Sequence, residues 1–248
     1  MGFVLEDFIL KRWFPAIFGI FGLLLVAATL GALPFFLEDA RRINTSDPKA
    51  PRFEPSPNPT PTVLAKTWTL AAPNAVFGPR AGHTSVVFNN LIWVIGGYAS
   101  LPTGLMNDVW SSYYGGVWDS VTTTAAFSPR FGHSSTVYNS KIWVIAGNDG
   151  AQLQDVWSSL DGKNWSLATA TAAFSPRTGS ASANFLGKMW VIGGFDVGYN
   201  SDVWSSTDGV TWTLETGAAG FLGRAEHSCV VYNNRLWVIG GKYSGGYL

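Results

Sequence analysis

Trp93-Val94-Ile95-Gly96-Gly97 returns as Trp143-Val144-Ile145-Ala146-Gly147, as Trp190-Val191-Ile192-Gly193-Gly194 and as Trp237-Val238-Ile239-Gly240-Gly241, at spacings of 50, 47 and 47 residues. A period of that length, carried by a short apolar run ending in a glycine pair, marks a repeat architecture in which each unit buries its apolar faces against its neighbours.

Working outward, each unit divides into four short strands. The first follows an arginine-containing loop, Phe77-Gly78-Pro79-Arg80 and then Gly82-His83-Thr84-Ser85-Val86-Val87-Phe88. Its counterparts are Phe127-Ser128-Pro129-Arg130 with His133, Phe174-Ser175-Pro176-Arg177 with Ser180, and Phe221-Leu222-Gly223-Arg224 with His227. Asn89-Asn90, Asn139-Ser140, Leu186-Gly187 and Asn233-Asn234 then suit two-residue hairpins, because Asn and Gly tolerate positive φ. The Trp-Val-Ile-Gly-Gly run is the second strand, its glycines turning the chain into a variable loop. Asp108-Val109-Trp110-Ser111-Ser112 is the third, repeated from Asp155 and from Asp202. The fourth carries Trp118, Trp165 or Trp212, after an Asp161-Gly162 or Asp208-Gly209 turn in two copies. Four antiparallel strands per period describe one propeller blade, so the expected fold is all-β, a propeller with about three and a half blades present.

The Arg-x-Gly-His loop, the glycine pair, and the later Asp-Val-Trp and lone Trp together resemble kelch repeats. The form Asp-Val-Trp-Ser-Ser with Asp-Gly and Trp following is similar to the bacterial kelch and galactose-oxidase-central-domain-like group. That resemblance implies a binding platform more often than an enzyme. Trp68 lies 50 residues before Trp118 and matches the fourth-strand position, which implies an N-terminal outer strand closing the last blade. By the 47-residue period the next Asp-Val-Trp falls at position 249, one past Leu248. The expectation is a truncated or incompletely determined chain, with a four-bladed ring or a strand supplied by another subunit as alternatives.

The head of the chain has a different character. Residues 1–14 form a short polar and apolar head, and Pro15 to Leu37 runs for 23 residues without a charge. A helix of that length is about 35 Å long, enough to cross a bilayer core of about 30 Å. A cleaved signal peptide is the alternative; Thr29-Leu30-Gly31 is the nearest approach to a cleavage site. Residues 38–65 contain Pro48, Pro51, Pro55, Pro57, Pro59 and Pro61 and read as an extended, proline-rich linker. The propeller then occupies 66–248, with units starting near 80, 130, 177 and 224. Lys11 and Arg12 precede the apolar run and Arg41, Arg42, Lys49 and Arg52 follow it, which by basic-residue count leaves the body in the cytoplasm. The resemblance to exported bacterial proteins implies the opposite, an extracytoplasmic propeller on a single-pass anchor.

Composition limits the function classes. Sixteen basic and sixteen acidic residues give zero net charge, with no basic stripe for nucleic acid. At 47% hydrophobic and 15% aromatic residues the chain has ample core material. The lone Cys229 sits in an apolar strand and reads as a buried thiol.

The charged repeat residues are expected to be structural. Arg80, Arg130, Arg177 and Arg224, with His83, His133 and His227, would hydrogen-bond in the lead-in loops and tie neighbouring blades together. Equivalent histidines stand on a ring and do not converge on a metal. Asp108, Asp155 and Asp202 each open the same strand and would accept backbone or arginine hydrogen bonds within their own blade. No nucleophile elbow, phosphate loop or zinc spacing is present, and no cofactor is expected.

Binding surfaces are instead expected where the repeat is broken. The candidates are Tyr98, Leu101 and Met106 in the first loop between second and third strands, Asp149 in the second, Phe195 and Tyr199 in the third, and Tyr113-Tyr114 where other units carry Asp-Gly. The resulting expectation is a non-catalytic, protein-binding or scaffolding subunit of a membrane or envelope complex. The alternative is a cell-surface carbohydrate-binding protein or carbohydrate-active enzyme, resembling kelch proteins that handle sialic acid or galactose.

Overall fold

The computed structural model describes residues 3–4, 68–100 and 104–248. Each hairpin dipeptide adopts the left-handed conformation that its Asn or Gly content favours: φ is 49° and 60° at Asn89-Asn90, 48° and 56° at Asn139-Ser140, and 50° and 56° at Asn233-Asn234. These turns fix the register of the first two strands in every unit. Three four-stranded antiparallel sheets follow in chain order. The first comprises β2 (Thr84–Phe88), β3 (Leu91–Tyr98), β4 (Leu105–Ser112) and β5 (Asp119–Thr122). The second is β6 (Ser134–Tyr138), β7 (Lys141–Asn148), β8 (Gln152–Ser159) and β9 (Trp165–Thr169), and the third β10 (Ala181–Phe185), β11 (Lys188–Phe195), β12 (Tyr199–Ser206) and β13 (Thr213–Thr216).

A fourth unit begins with β14 (Ser228–Tyr232) and β15 (Arg235–Ile239), followed by the small hairpin β16 (Lys242–Tyr243) and β17 (Gly246–Tyr247). The two-residue strand β1 (Phe3–Val4) pairs antiparallel with β15. Strands β2, β6, β10 and β14 stand beside one another in succession, so the first strand of each unit is innermost. The all-β, blade-like expectation for the repeat region is met. The membrane-helix reading of residues 15–37 and the linker at 38–65 lie outside the described residues. Among the described residues no helix is long and apolar enough to cross a membrane.

The core lies between sheets. Phe88, Trp93, Ile95 and Val109 of the first sheet meet Ile142, Val144 and Trp165 of the second. Trp143, Ile145 and Val156 then meet Met189, Val191 and Trp212 of the third. Phe185, Trp190, Ile192 and Val203 in turn cover Leu236 and Val238 of the fourth unit. Period-2 alternation in each strand therefore puts one apolar set toward the preceding blade and the other toward the following one.

Two expectations are corrected. The glycine pair does not end the second strand: the register slips between Ile95 and Gly97, and β3 runs on to Tyr98. Gly96 and Gly97, at φ 56° and 100°, form a bulge that bends the strand while pairing continues. Trp68 is not a closing strand residue; it lies in no strand and is 98% exposed.

The Asp-Gly turns have a packing role that their hairpin chemistry alone did not reveal. A Cβ on Gly162, at φ 71°, would overlap the ring edge of Trp93 in the preceding blade, 2.1 Å from its Cζ3, and Gly209 stands in the same relation to Trp143. Gly162→Ala is expected to lower stability by about 2–3 kcal/mol, because the ring must move and the backbone is left-handed. The check is a lower urea midpoint at unchanged slope. A loss below about 0.5 kcal/mol, the scatter of ordinary surface changes, would mean that Trp93 is not held there.

Candidate functional site

Antiparallel pairing places each lead-in loop and each loop between second and third strands at one end of the blade, since Thr84 pairs with Ile95 while Phe88 pairs with Leu91. This upper end is held by one motif in three copies. Arg80 donates to both carboxylate oxygens of Asp108 at 2.8 and 2.9 Å, Arg130 to Asp155 at 2.6 and 2.8 Å, and Arg177 to Asp202 at 2.7 and 2.8 Å. The same guanidinium groups donate to the carbonyls of Gly96, Ala146 and Gly193. Each aspartate also accepts the indole N–H of the tryptophan two residues on in its strand, Trp110, Trp157 or Trp204. The arginines lie over Phe77, Phe127 and Phe174, with 5.2–5.6 Å between the guanidinium carbon and the ring centroid. Those rings pack edge-on against Trp118, Trp165 and Trp212.

These side chains brace their own blade, which corrects the expectation that the arginines tie blades together. Neighbouring blades are linked by main-chain bonds, together with side-chain bonds such as that between Thr84 Oγ1 and His133 Nε2 at 2.9 Å. Gly97 N–H donates to the Arg130 carbonyl at 2.9 Å, Gly147 to Arg177 at 2.9 Å, and Gly194 to Arg224 at 2.8 Å. A second ladder runs through the loops themselves: Gly132 N–H to the Gly82 carbonyl, Gly179 to Gly132, and Glu226 to Gly179, at 2.9, 2.7 and 2.7 Å.

The histidines wedge into these junctions. His133 packs its Cε1 beneath Gly96 of the preceding blade and its Cβ against Gly147 of its own, and His227 repeats this with Gly193 and Gly241. Burial, reinforced by the Arg130 charge, drives His133 down to about 3. Burial and Arg224 take His227 down to about 4. His83 is lowered by burial and then by Arg80. Among the described residues no three His, Cys, Asp or Glu side chains converge as metal ligands. Burial raises the Cys229 thiol to about 12, leaving it unreactive at neutral pH.

The binding candidates separate into two groups. Tyr98, Asp149, Phe195 and Tyr199 reach the upper end, whereas Tyr113 and Tyr114 lie at the opposite end, 74% and 66% exposed. Leu101 lies outside the described residues. Several candidates belong to strands and not to loops, because the bulge carries pairing past the glycines: Tyr98 ends β3, Met106 lies in β4, and Phe195 and Tyr199 end β11 and begin β12. Tyr98 stacks edge-on to Phe131 of the next blade at 5.2 Å, and Phe195 does so to Tyr199 at 5.1 Å. The carbonyl of Met106 accepts the Arg130 N–H. The irregular segments of the second and third units are therefore short, 149–151 and 196–198, and in the first unit β3 ends at Tyr98 and β4 begins at Leu105.

Between the third and fourth units a cavity of about 160 Å³ opens beside Phe195 and Tyr199, with Thr178, Gly179, Ala225, Glu226 and Lys242 completing it. Glu226 and Lys242 were not legible as a pair from their separation in the chain. A signal was present, however, because Glu226 replaces the glycine found at 82, 132 and 179.

No curated protein matches this chain. The family model for the KLHDC2/KLHL20/DRC7 Kelch-repeats domain matches residues 62–241, a span that takes in all three four-stranded sheets and the β14–β15 hairpin. With that match over most of its length and with the same four-stranded sheet in three copies, the chain belongs to the Kelch-repeat family.

Proposed function

We propose that the chain is a non-catalytic protein-binding module whose upper end docks a partner polypeptide, held at a membrane by residues 15–37 with the repeat domain on the extracytoplasmic side. One observation carries the docking reading. In the first three units the framework arginine and aspartate at the upper end are committed to one another, while the sequences between second and third strands, 99–104, 149–151 and 196–198, differ from unit to unit. A rigid scaffold carrying variable loops is the usual construction of a recognition surface. The Kelch-repeat family match supports an interaction module in the same sense. The anchor rests on the 23 uncharged residues from Pro15 to Leu37 alone.

Cross-linking of the native protein in its own membranes, followed by mapping of the linked peptides, tests both parts. The expected result is inter-protein links on the upper segments, and retention of the chain in the membrane after a salt wash that strips electrostatically held proteins. Links confined to the lower end would overturn the docking reading, and release by salt would overturn the anchor. Tyr113 and Tyr114 favour a second reading, carbohydrate stacking at the lower end, because both rings are exposed where the other units have polar turns. Glycan-array binding abolished by Tyr113→Ala would establish it; a silent array would remove it.

A further inference from the structure

We propose that Glu226, with the aromatic wall of Phe195 and Tyr199, is a receptor for one lysine or arginine side chain of a partner polypeptide, and that Lys242 is its resident stand-in. This deepens the docking reading and rests on it.

The backbone supplies the first observation. Gly82, Gly132 and Gly179 hold φ near +60° in the inter-blade ladder, and Glu226 holds φ 56° at the equivalent place. Its N–H makes the same ladder bond as its predecessors, to the Gly179 carbonyl at 2.7 Å. A glycine would serve the fold there without the penalty a Cβ carries in the left-handed region. A strained residue kept where the fold does not need it points to a use for its side chain.

The surroundings define that use. At the first junction the ring of Phe131 packs on Tyr98; at the third, Ala225 stands in the place of Phe131, bridges Lys242, and lines the cavity together with Phe195. At about 160 Å³ it admits one side chain, well short of the 300–1,000 Å³ typical of whole small-molecule pockets. The Lys242 ammonium sits 2.7 Å from the Glu226 carboxylate and 5.7 Å from the ring centroid of Tyr247. A carboxylate beside aromatic rings, in a place where an ammonium already sits, is a lining that receives a cation. Both members of the pair are substantially exposed, with side-chain exposures of 60% for Glu226 and 36% for Lys242. Such a pair is weak and exchangeable. Both backbones are held by main-chain bonds, and the lysine, with the longer and more flexible side chain, can swing its ammonium away from the carboxylate.

The test uses the full chain and fluorescein-labelled acetyl-(Lys-Gly)4-amide, with acetyl-(Glu-Gly)4-amide as counterpart, read by anisotropy at low salt. The parent is expected to bind only the lysine peptide. Glu226→Gly should weaken that binding about tenfold, the loss of one hydrogen bond to a charged group, while melting no lower than the parent. Lys242→Ala should tighten it about two- to fivefold by removing the competitor. Binding of the glutamate peptide that is lost in Lys242→Ala would identify an anion site and overturn the proposal. So would lysine-peptide binding that is absent, or unchanged by Glu226→Gly. If Glu226→Gly abolishes peptide binding and the membrane cross-links nevertheless persist at the upper segments, the docking reading stands on other contacts. If the cross-links are absent from those segments, that reading fails separately.

Discussion

Asp155→Ala is expected to destabilise the protein by about 3–5 kcal/mol, the cost of leaving a buried charge without its partner. The Arg130 side chain is 1% exposed, and Asp155 supplies both of its carboxylate contacts, at 2.6 and 2.8 Å. Removing the carboxylate also strips the Trp157 indole N–H of its acceptor. What remains for Arg130 is neutral: the Ala146 carbonyl, and the carbonyl and hydroxyl of Ser128. These cannot compensate a cation taken out of water. Arg177–Asp202 repeats the geometry, so Asp202→Ala should cost a similar amount. Lys188–Glu215 is a control, because at 2.9 Å but 41% and 25% exposed it should be worth less than about 1 kcal/mol. Urea denaturation of Asp155→Ala and Lys188→Ala side by side makes the comparison. Equal, small losses would show that the buried pairs are not what braces the blades. The double change Arg130→Met with Asp155→Leu should recover part of the loss, since it removes the orphaned charge along with the pair.

That network shows which features of the fold could be read from the sequence. Arg130 and Asp155 recur as Arg177 and Asp202 at the same separation of 25 residues, and a contact preserved with the period announces itself. The hairpin dipeptides were legible for a similar reason, since Asn89-Asn90 states its backbone conformation in its residue type. Relations across blades were not. Nothing in Asp161-Gly162 says that Trp93, nearly 70 residues earlier, occupies the space a Cβ would need. The bulge at Gly97 carried Tyr98 and Met106 out of the expected loop and into paired strands, because the glycines there bend the ladder without interrupting it. Glu226 shows the limit most clearly: its departure from the glycine pattern was visible, but its partner Lys242 becomes a neighbour only when β16 pairs back on the lead-in loop through Ala225.

The histidines yield the second large effect, a loss of stability that begins at unusually mild acidity. In the unfolded chain both His133 and His227 titrate near 6.5; in the folded protein burial holds them at about 3 and about 4. The native state keeps them neutral, and below pH 6.5 the unfolded state binds protons that the native state refuses. Stability therefore rises with pH through this window and falls as pH drops from 6.5 toward 4, by up to about 1.4 kcal/mol per pH unit for each group. Between pH 7 and pH 5 the pair should cost on the order of 4 kcal/mol. Asp161, lowered to about 2 by hydrogen bonds from Asn164, Lys163 and Ser159 that outweigh its burial, also disfavours acid, but its contribution is lost only below pH 4. Onset thus separates the two causes. Ser180 occupies the histidine's place in the third blade, so His133→Ser follows a substitution the repeat already tolerates. That variant should retain its fold at pH 7 and show a drop between pH 7 and pH 5, measured by urea titration, that is smaller by about 2 kcal/mol. A parent protein equally stable at both pH values would show that the junctions open enough to hydrate these rings, and the wedge role of His133 and His227 would fall with it.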